Sequence, residues 1–105
     1  MLVKRAEGRE WVGAGYEGAE RAVLRMSPEQ GRTNLVRLKK GAHGPRHRHL
    51  AGEHVLVLSG KVAIAGETLA AGDYSFTEAG EEHDLTALED ALIFVTSDKA
   101  IVVTE

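Results

Sequence analysis

Short apolar runs, separated by polar turns that contain glycine, make up most of the chain. Turns of this kind bound strands rather than helices. They recur at Gly31, Gly41, Ser59-Gly60, Ala65-Gly66, Ala71-Gly72 and Gly80. No stretch of helical length carries a convincing period of about 3.6 residues between apolar positions. The pattern therefore predicts an all-β protein.

We predict strands over residues 2–5, 21–26, 33–39, 53–59, 61–65, 74–77, 84–88, 92–96 and 101–104. Short strands of this kind bury one face by closing into a small barrel or by packing face to face, which also limits open sheet edges. The predicted fold is a single antiparallel β-barrel or jelly-roll sandwich.

The chain reads as one domain over residues 1–105, because it has no linker, repeat or low-complexity tract and 105 residues suffice for one core. Residues 6–18 form the least regular segment, which we interpret as a flexible N-terminal arm. It holds four glycines around the sole tryptophan, Trp11.

Composition excludes several classes of function. A net charge of −3 without a basic stripe argues against a nucleic-acid partner. No apolar run approaches the length that crosses a bilayer or forms a secretion signal, so we predict a cytoplasmic protein without a membrane partner. The absence of cysteine excludes thiolate ligands. A single asparagine and a single glutamine suggest a thermophilic source.

Candidate metal ligands concentrate in residues 41–60, which hold four of the five histidines. On a strand, residues two apart point to the same face, so His47 and His49 look one way while Arg46, Arg48 and Leu50 look the other. Neutral imidazole suits Zn, Cu, Fe and Ni. The pair can therefore grip one ion, although two ligands do not make a tight site.

Glu53 follows a short turn and opens the next strand, where it adds an anionic oxygen. Val55 and Val57 share its face, whereas His54 lies on the opposite face and is the weakest candidate ligand. His43, in a turn flanked by glycine, is expected to face solvent.

His83, after the turn at Gly80, can approach the same site from a neighbouring strand. Three imidazoles and one carboxylate bind a divalent metal with positions open for water, dioxygen or substrate. Two other interpretations stay open: the histidines satisfy each other's hydrogen bonds, or a metal only stabilises the domain.

Two stretches resemble the cupin motifs. Residues 41–60 are similar to the first motif, G(X)5HXH(X)3,4E(X)6G, and residues 72–87 to the second, G(X)5PXG(X)2H(X)3N. The second departs from the pattern at Glu78, where the motif has proline, and at Ala87, where it has asparagine. The resemblance implies a cupin fold, with His47, His49, Glu53 and His83 as metal ligands.

The resemblance also implies a function. It implies one bound divalent metal, which we expect to be Mn, Fe, Ni, Cu or Zn, in a small metal-dependent enzyme acting on an oxygen-rich small molecule. The reaction would be a dioxygenation, or an isomerisation or cyclisation of the sugar or polyketide type, with Glu53 doubling as a base. The alternative is a non-catalytic cupin that binds or senses a metal or small ligand. The resemblance further implies a homodimer.

Two charged groups of residues have more than one interpretation. Arg37, Lys39, Lys40 and Arg46 form either an anion-binding patch or a solvated strand edge. The acidic residues of 78–84 either raise the local cation concentration near His83 or form an ordinary surface turn.

Overall fold

The computed structural model describes residues 1–28, 31–49 and 51–97, together with the backbone of residues 101–103. All of its regular elements are strands, and no described segment is a helix. Accordingly, the described residues offer no helix with the length and apolar character to cross a membrane. The all-β prediction is confirmed.

The strands are β1 Val12–Gly13, β2 Ala19–Ser27, β3 Gly31–Leu38, β4 His43–His49, β5 Glu53–Ser59, β6 Lys61–Ile64, β7 Glu67–Ala70, β8 Tyr74–Thr77, β9 Glu82–Ala87, β10 Ala91–Ser97 and β11 Ile101–Val103.

These strands form two antiparallel sheets. One sheet has the order β1-β2-β3-β10-β5-β8, and the other has the order β11-β4-β9-β6-β7. Apolar side chains from the facing surfaces, such as Val55, Val57, Val62, Ile64 and Ile93, are buried between them. No described strand belongs to both sheets, so the fold is a jelly-roll sandwich rather than a closed barrel.

The predicted and observed strands differ where local pattern is weak. Strands β5 and β8 have the predicted bounds, and five other predicted strands differ only at their ends. Residues 2–5 are not a strand; Leu2 and Val3 are exposed and the segment has no sheet partner. Strand β7 escaped prediction because Leu69 is its only buried residue, which leaves no alternation to detect. The predicted strand 101–104 is seen over Ile101–Val103, and Thr104 lies outside the described residues.

Part of the N-terminal segment 6–18 contacts the six-stranded sheet. Its residues Val12 and Gly13 form β1 and pair with β2. The guanidinium of Arg37 lies 4.2 Å from the centroid of the Trp11 ring, within the range of a cation–π interaction. Tyr16, in the same segment, packs against the buried core. The flexibility of the arm stays a prediction.

Strand β5 shows the predicted alternation. Glu53, Val55 and Val57 are buried between the sheets, whereas His54 and Leu56 are exposed on the outer face. Because side chains alternate along a strand, this parity places the carboxylate of Glu53 inside the sandwich.

Strands β4 and β9 bring the histidines to the same interior from the other sheet. Their register places His47 directly opposite His83, and His43 opposite Thr86. Between these pairs the register shifts, which marks a β-bulge. The bulge reverses the parity of β4, so His43 is exposed although it lies an even number of residues before His47.

Gly60, the last residue of the first motif, lies between β5 and β6, where it packs closely against the backbone of Asp90 and Ala91. Its φ is +79°, a conformation that L side chains rarely adopt. A Cβ at this position would overlap the carbonyl oxygen of Asp90 and lie 2.7 Å from Cα of Ala91. Gly66 has a similar φ of +81° but has open space around it.

We expect Gly60→Ala to destabilise the protein more than Gly66→Ala. Both variants incur the strain of a left-handed residue, about 1 kcal/mol, but only Gly60→Ala also forces the backbone at Asp90 to move, for a total of about 3 kcal/mol. Urea unfolding of the two variants and the wild type measures the difference. Equal losses of unfolding free energy would contradict this explanation of the glycine.

Candidate metal centre

Four predicted site residues meet between the two sheets. His47 and His49 come from β4, His83 from β9 and Glu53 from the first position of β5. One ligand atom from each of these side chains lies within 4.8 Å of the ligand atoms of the others. We call these four residues the His/Glu cluster. Three of them are buried and His47 is partly exposed.

The three imidazole rings of the cluster converge. The ring centroids of His47 and His49 are 4.5 Å apart, those of His49 and His83 are 4.7 Å apart, and those of His47 and His83 are 5.1 Å apart. The register of β4 with β9 and the period of two along β4 produce this arrangement.

Backbone carbonyls set the tautomer of each ring. The Nδ1 atom of every histidine in the cluster lies within hydrogen-bonding distance of a carbonyl oxygen: His47 with Pro45 at 3.0 Å, His49 with Glu81 at 3.4 Å, and His83 with Asp84 at 3.3 Å. Because a carbonyl oxygen only accepts, Nδ1 carries the proton in each neutral ring and Nε2 keeps its lone pair. Hydrogen bonds of this kind orient histidines that ligate metals.

The lone pairs of the imidazole nitrogens and of the Glu53 carboxylate converge, and too few proton donors are present to form hydrogen bonds with all of them. Nε2 of His49 and Oε2 of Glu53 are buried and make no hydrogen bond. Nε2 of His49 lies 3.0 Å from Oε1 of Glu53, but the contact does not have hydrogen-bond geometry. The hydroxyl of Thr77 can donate to Nε2 of His83, at 3.2 Å. A buried carboxylate surrounded by acceptors is costly without a cation, so the donor set fits a bound metal ion.

Burial lowers the pKa of His49 and His83, but their charged neighbours shift the two pKa values in opposite directions. Burial lowers the pKa of His49, but the carboxylate of Glu53 and the carbonyl of Glu81 more than offset it, so the pKa lies above its ordinary value. Burial lowers the pKa of His83, and the neighbouring His49 and His47 lower it further. Without a metal, a proton therefore resides more readily on His49 than on His83.

The other two histidines lie outside the cluster, as predicted. The His54 ring is exposed on the outer face of β5, where Nδ1 is hydrogen bonded to the Tyr74 hydroxyl and the ring packs 4.8 Å from that of Phe76. His43 is exposed, with Nδ1 2.9 Å from the Thr86 hydroxyl. The side chains of Arg46 and Arg48 are exposed too, while the predicted orientation of Leu50 falls outside the described residues.

A cavity of about 260 Å³ opens onto the cluster. His47, Glu53 and His83 contribute to its wall, and the remaining wall includes both apolar and polar side chains. Its polar members are Tyr16, Arg21, Arg32 and Asn34. Two larger surface depressions, of about 520 and 460 Å³, contain none of the cluster residues.

The polar cavity residues were not among the predicted site residues. Arg32 and Asn34 share a strand face with Val36 and Leu38, so polar residues at inward positions of a strand were the available clue. For Arg21 and Tyr16 the chain offered no such clue. Burial raises the pKa of Tyr16, and Glu53 raises it further, so the phenol keeps its proton.

The charged groups singled out from the sequence lie at the surface. Arg37 is exposed and pairs with Glu20, with 2.9 Å between Nε and Oε1. Lys39, Lys40 and Arg46 are exposed as well. In the acidic segment 78–84, Glu82 pairs with Arg48 at 3.2 Å.

Comparison with known proteins identifies relatives. The family model for the ChrR cupin-like domain matches residues 1–101. A DNA damage-repair/toleration protein of Arabidopsis thaliana, DRT102, is 32% identical in an 87-residue alignment that covers 77% of this chain. The chain spans only 27% of the length of that curated relative.

Solved structures share the fold. Acetylacetone dioxygenase from Acinetobacter johnsonii matches with a TM-score of 0.89 and 20% identity, over 100% of this chain and 78% of that chain. A chain in the structure of Rhodobacter sphaeroides SigE in complex with the anti-sigma ChrR matches with a TM-score of 0.78 and 27% identity. That match covers 90% of this chain and 51% of the other.

Proposed function

Because the chain belongs to the family of ChrR cupin-like domains, we propose that the His/Glu cluster binds one divalent transition-metal ion and supports chemistry on a small oxygen-rich molecule. The observation that carries this proposal is the buried, unpaired carboxylate oxygen of Glu53 among imidazole nitrogens that present lone pairs. The adjoining cavity leaves room for a substrate.

The donor set narrows the choice of metal. Three imidazole nitrogens and one carboxylate oxygen suit Mn, Fe, Ni, Cu and Zn, and a chain without cysteine has no thiolate to add. Such an ion supplies either Lewis acidity or oxygen activation when bound.

The chain's own residues would orient the substrate and move protons. The protonated phenol of Tyr16 can donate a hydrogen bond to a substrate oxygen in the cavity. Glu53 is the candidate catalytic residue. It lies at the cavity wall, and its Oε2 makes no hydrogen bond, so this atom is available to accept a proton. It can accept a proton from the substrate if it shifts away from the metal.

A non-catalytic function is the second candidate. The family takes its name from ChrR, and the Rhodobacter sphaeroides ChrR is an anti-sigma protein crystallised with SigE. In this alternative the same site binds a metal or small ligand, and the domain transmits that state to a partner protein. The homodimer, the thermophilic source and the cytoplasmic location stay predictions.

We expect protein purified without an affinity tag to contain about one transition-metal ion per chain, measured by elemental analysis. His83→Ala, His47→Ala and His49→Ala should each lose this ion, because each removes one ligand from a compact site. His54→Ala is the matched control, since His54 lies on the outer face of the sheet and should leave the metal in place. Loss of metal in the control, or its retention in all three cluster variants, would contradict the assignment.

Metal affinity should fall as pH drops. An imidazole must be neutral to bind, and the raised pKa of His49 means that proton competition begins there above the ordinary histidine range. Affinity is therefore full above that pKa and declines as pH falls through it, by about tenfold or more between about pH 8 and about pH 5. Titration with Zn²⁺ at several pH values measures this decline, and constant affinity would count against histidine ligation.

A turnover assay distinguishes the enzymatic function from the non-catalytic alternative. We expect the iron-loaded protein to consume oxygen in the presence of a β-diketone such as acetylacetone, measured with an oxygen electrode, and His83→Ala to be inactive. The diketone is chosen because a structural relative is an acetylacetone dioxygenase. Binding of the diketone without turnover, with each metal tested, would favour the non-catalytic alternative.

A further inference from the structure

Two arginines from neighbouring strands line the cavity beside the His/Glu cluster. Arg21 lies on β2 and Arg32 on β3, both in the six-stranded sheet. Arg32 is directly opposite Ser97, which in turn is opposite Glu53, so the three form one row across the sheet. This row runs across the sheet from Arg32 to Glu53, which belongs to the His/Glu cluster.

Both guanidinium groups have hydrogen-bonding capacity to spare. Nε of Arg21 is buried and makes no hydrogen bond. Nε of Arg32 donates to the side-chain oxygen of Asn34 at 3.2 Å, in the amide orientation that also lets Asn34 donate to the carbonyl of Thr33. Asn34 is 6% exposed, and this hydrogen bond restrains Nε of Arg32. Among residues 1–28, 31–49 and 51–97, neither arginine forms an ion pair.

The charges of the cavity do not balance. Arg21 and Arg32 line the same cavity. Burial lowers the pKa of Arg32, and the charge of Arg21 lowers it further. Glu53 offsets one positive charge, but a divalent metal would add two. A partly buried cavity with this excess of positive charge favours an anion, and guanidinium groups bind carboxylates through paired hydrogen bonds.

We propose that the cavity binds a small molecule with a carboxylate group, which Arg21 and Arg32 hold while a carbonyl or hydroxyl oxygen elsewhere in the molecule faces the His/Glu cluster. This inference rests on the proposed function, since it names the substrate class of the same site. The cavity of about 260 Å³ is small. It holds roughly nine water volumes of about 30 Å³, so a short oxo or hydroxy acid fits.

The test compares two probes of equal size. Levulinate and hexane-2,5-dione have the same number of non-hydrogen atoms and the same ketone, but only levulinate carries a carboxylate. In calorimetric titrations of the Zn²⁺-loaded protein near neutral pH, we expect levulinate to bind at least about tenfold more tightly than the dione.

Substitutions then locate the carboxylate. Arg32→Met and Arg21→Met should each reduce the preference for levulinate to near unity, because each keeps side-chain bulk but removes the guanidinium. Arg37→Met is the matched control: it removes the same charge from β3, but from an exposed side chain paired with Glu20, and should keep the preference. Elemental analysis and thermal unfolding accompany every variant.

The outcomes separate this inference from the proposed function. Absence of metal from the wild type would overturn the proposed function, whereas the probe preference can still be measured on the metal-free protein. A wild type that binds metal but not levulinate in preference would overturn the carboxylate assignment alone. If Arg32 serves only to offset the charge of Glu53, Arg32→Met will lose stability or metal while the preference persists, and that result would overturn the assignment.

Discussion

The buried carboxylate of Glu53 is the constraint around which the interior is organised. It lies at the start of β5 inside the sandwich, and the nearest groups include imidazole nitrogens that keep their lone pairs. An anion in such surroundings is stable only with a cation beside it. The three backbone carbonyls that accept from the Nδ1 atoms orient the rings.

Residues from both sheets form this centre. Strands β4 and β9 of the five-stranded sheet bring three histidines, and β5 of the six-stranded sheet brings the carboxylate. A site made across the interface depends on the packing of the sandwich, so the apolar core that joins the sheets also sets the distances between ligands. The same interface leaves a cavity that is lined by hydrogen-bond acceptors of the His/Glu cluster and by two arginines, all of them on strands.

The bulge in β4 shows how a small irregularity selects ligands. Strict alternation over β4 would turn His43 and His47 to the same face. The register shift between Gly44 and His47 adds a residue, so His43 faces out and His47 faces in. Tyr16 packs its ring against Gly44, where a Cβ would lie 2.9 Å from the ring. The absence of a side chain at Gly44 therefore allows the Tyr16 ring to pack closely beside the cavity.

The sequence alone determined the fold class and the four members of the cluster. Alternation along a strand is local, so the parity of His47, His49 and Glu53 could be read directly, and the spacing of the second motif identified His83. Only the tertiary structure decided that residues 2–5 have no sheet partner, that a bulge turns His43 outward, and that Arg21 and Arg32 line the cavity. These features depend on which distant strands pair and in what register, and that choice arises from the packing of the whole chain rather than from any short stretch of it.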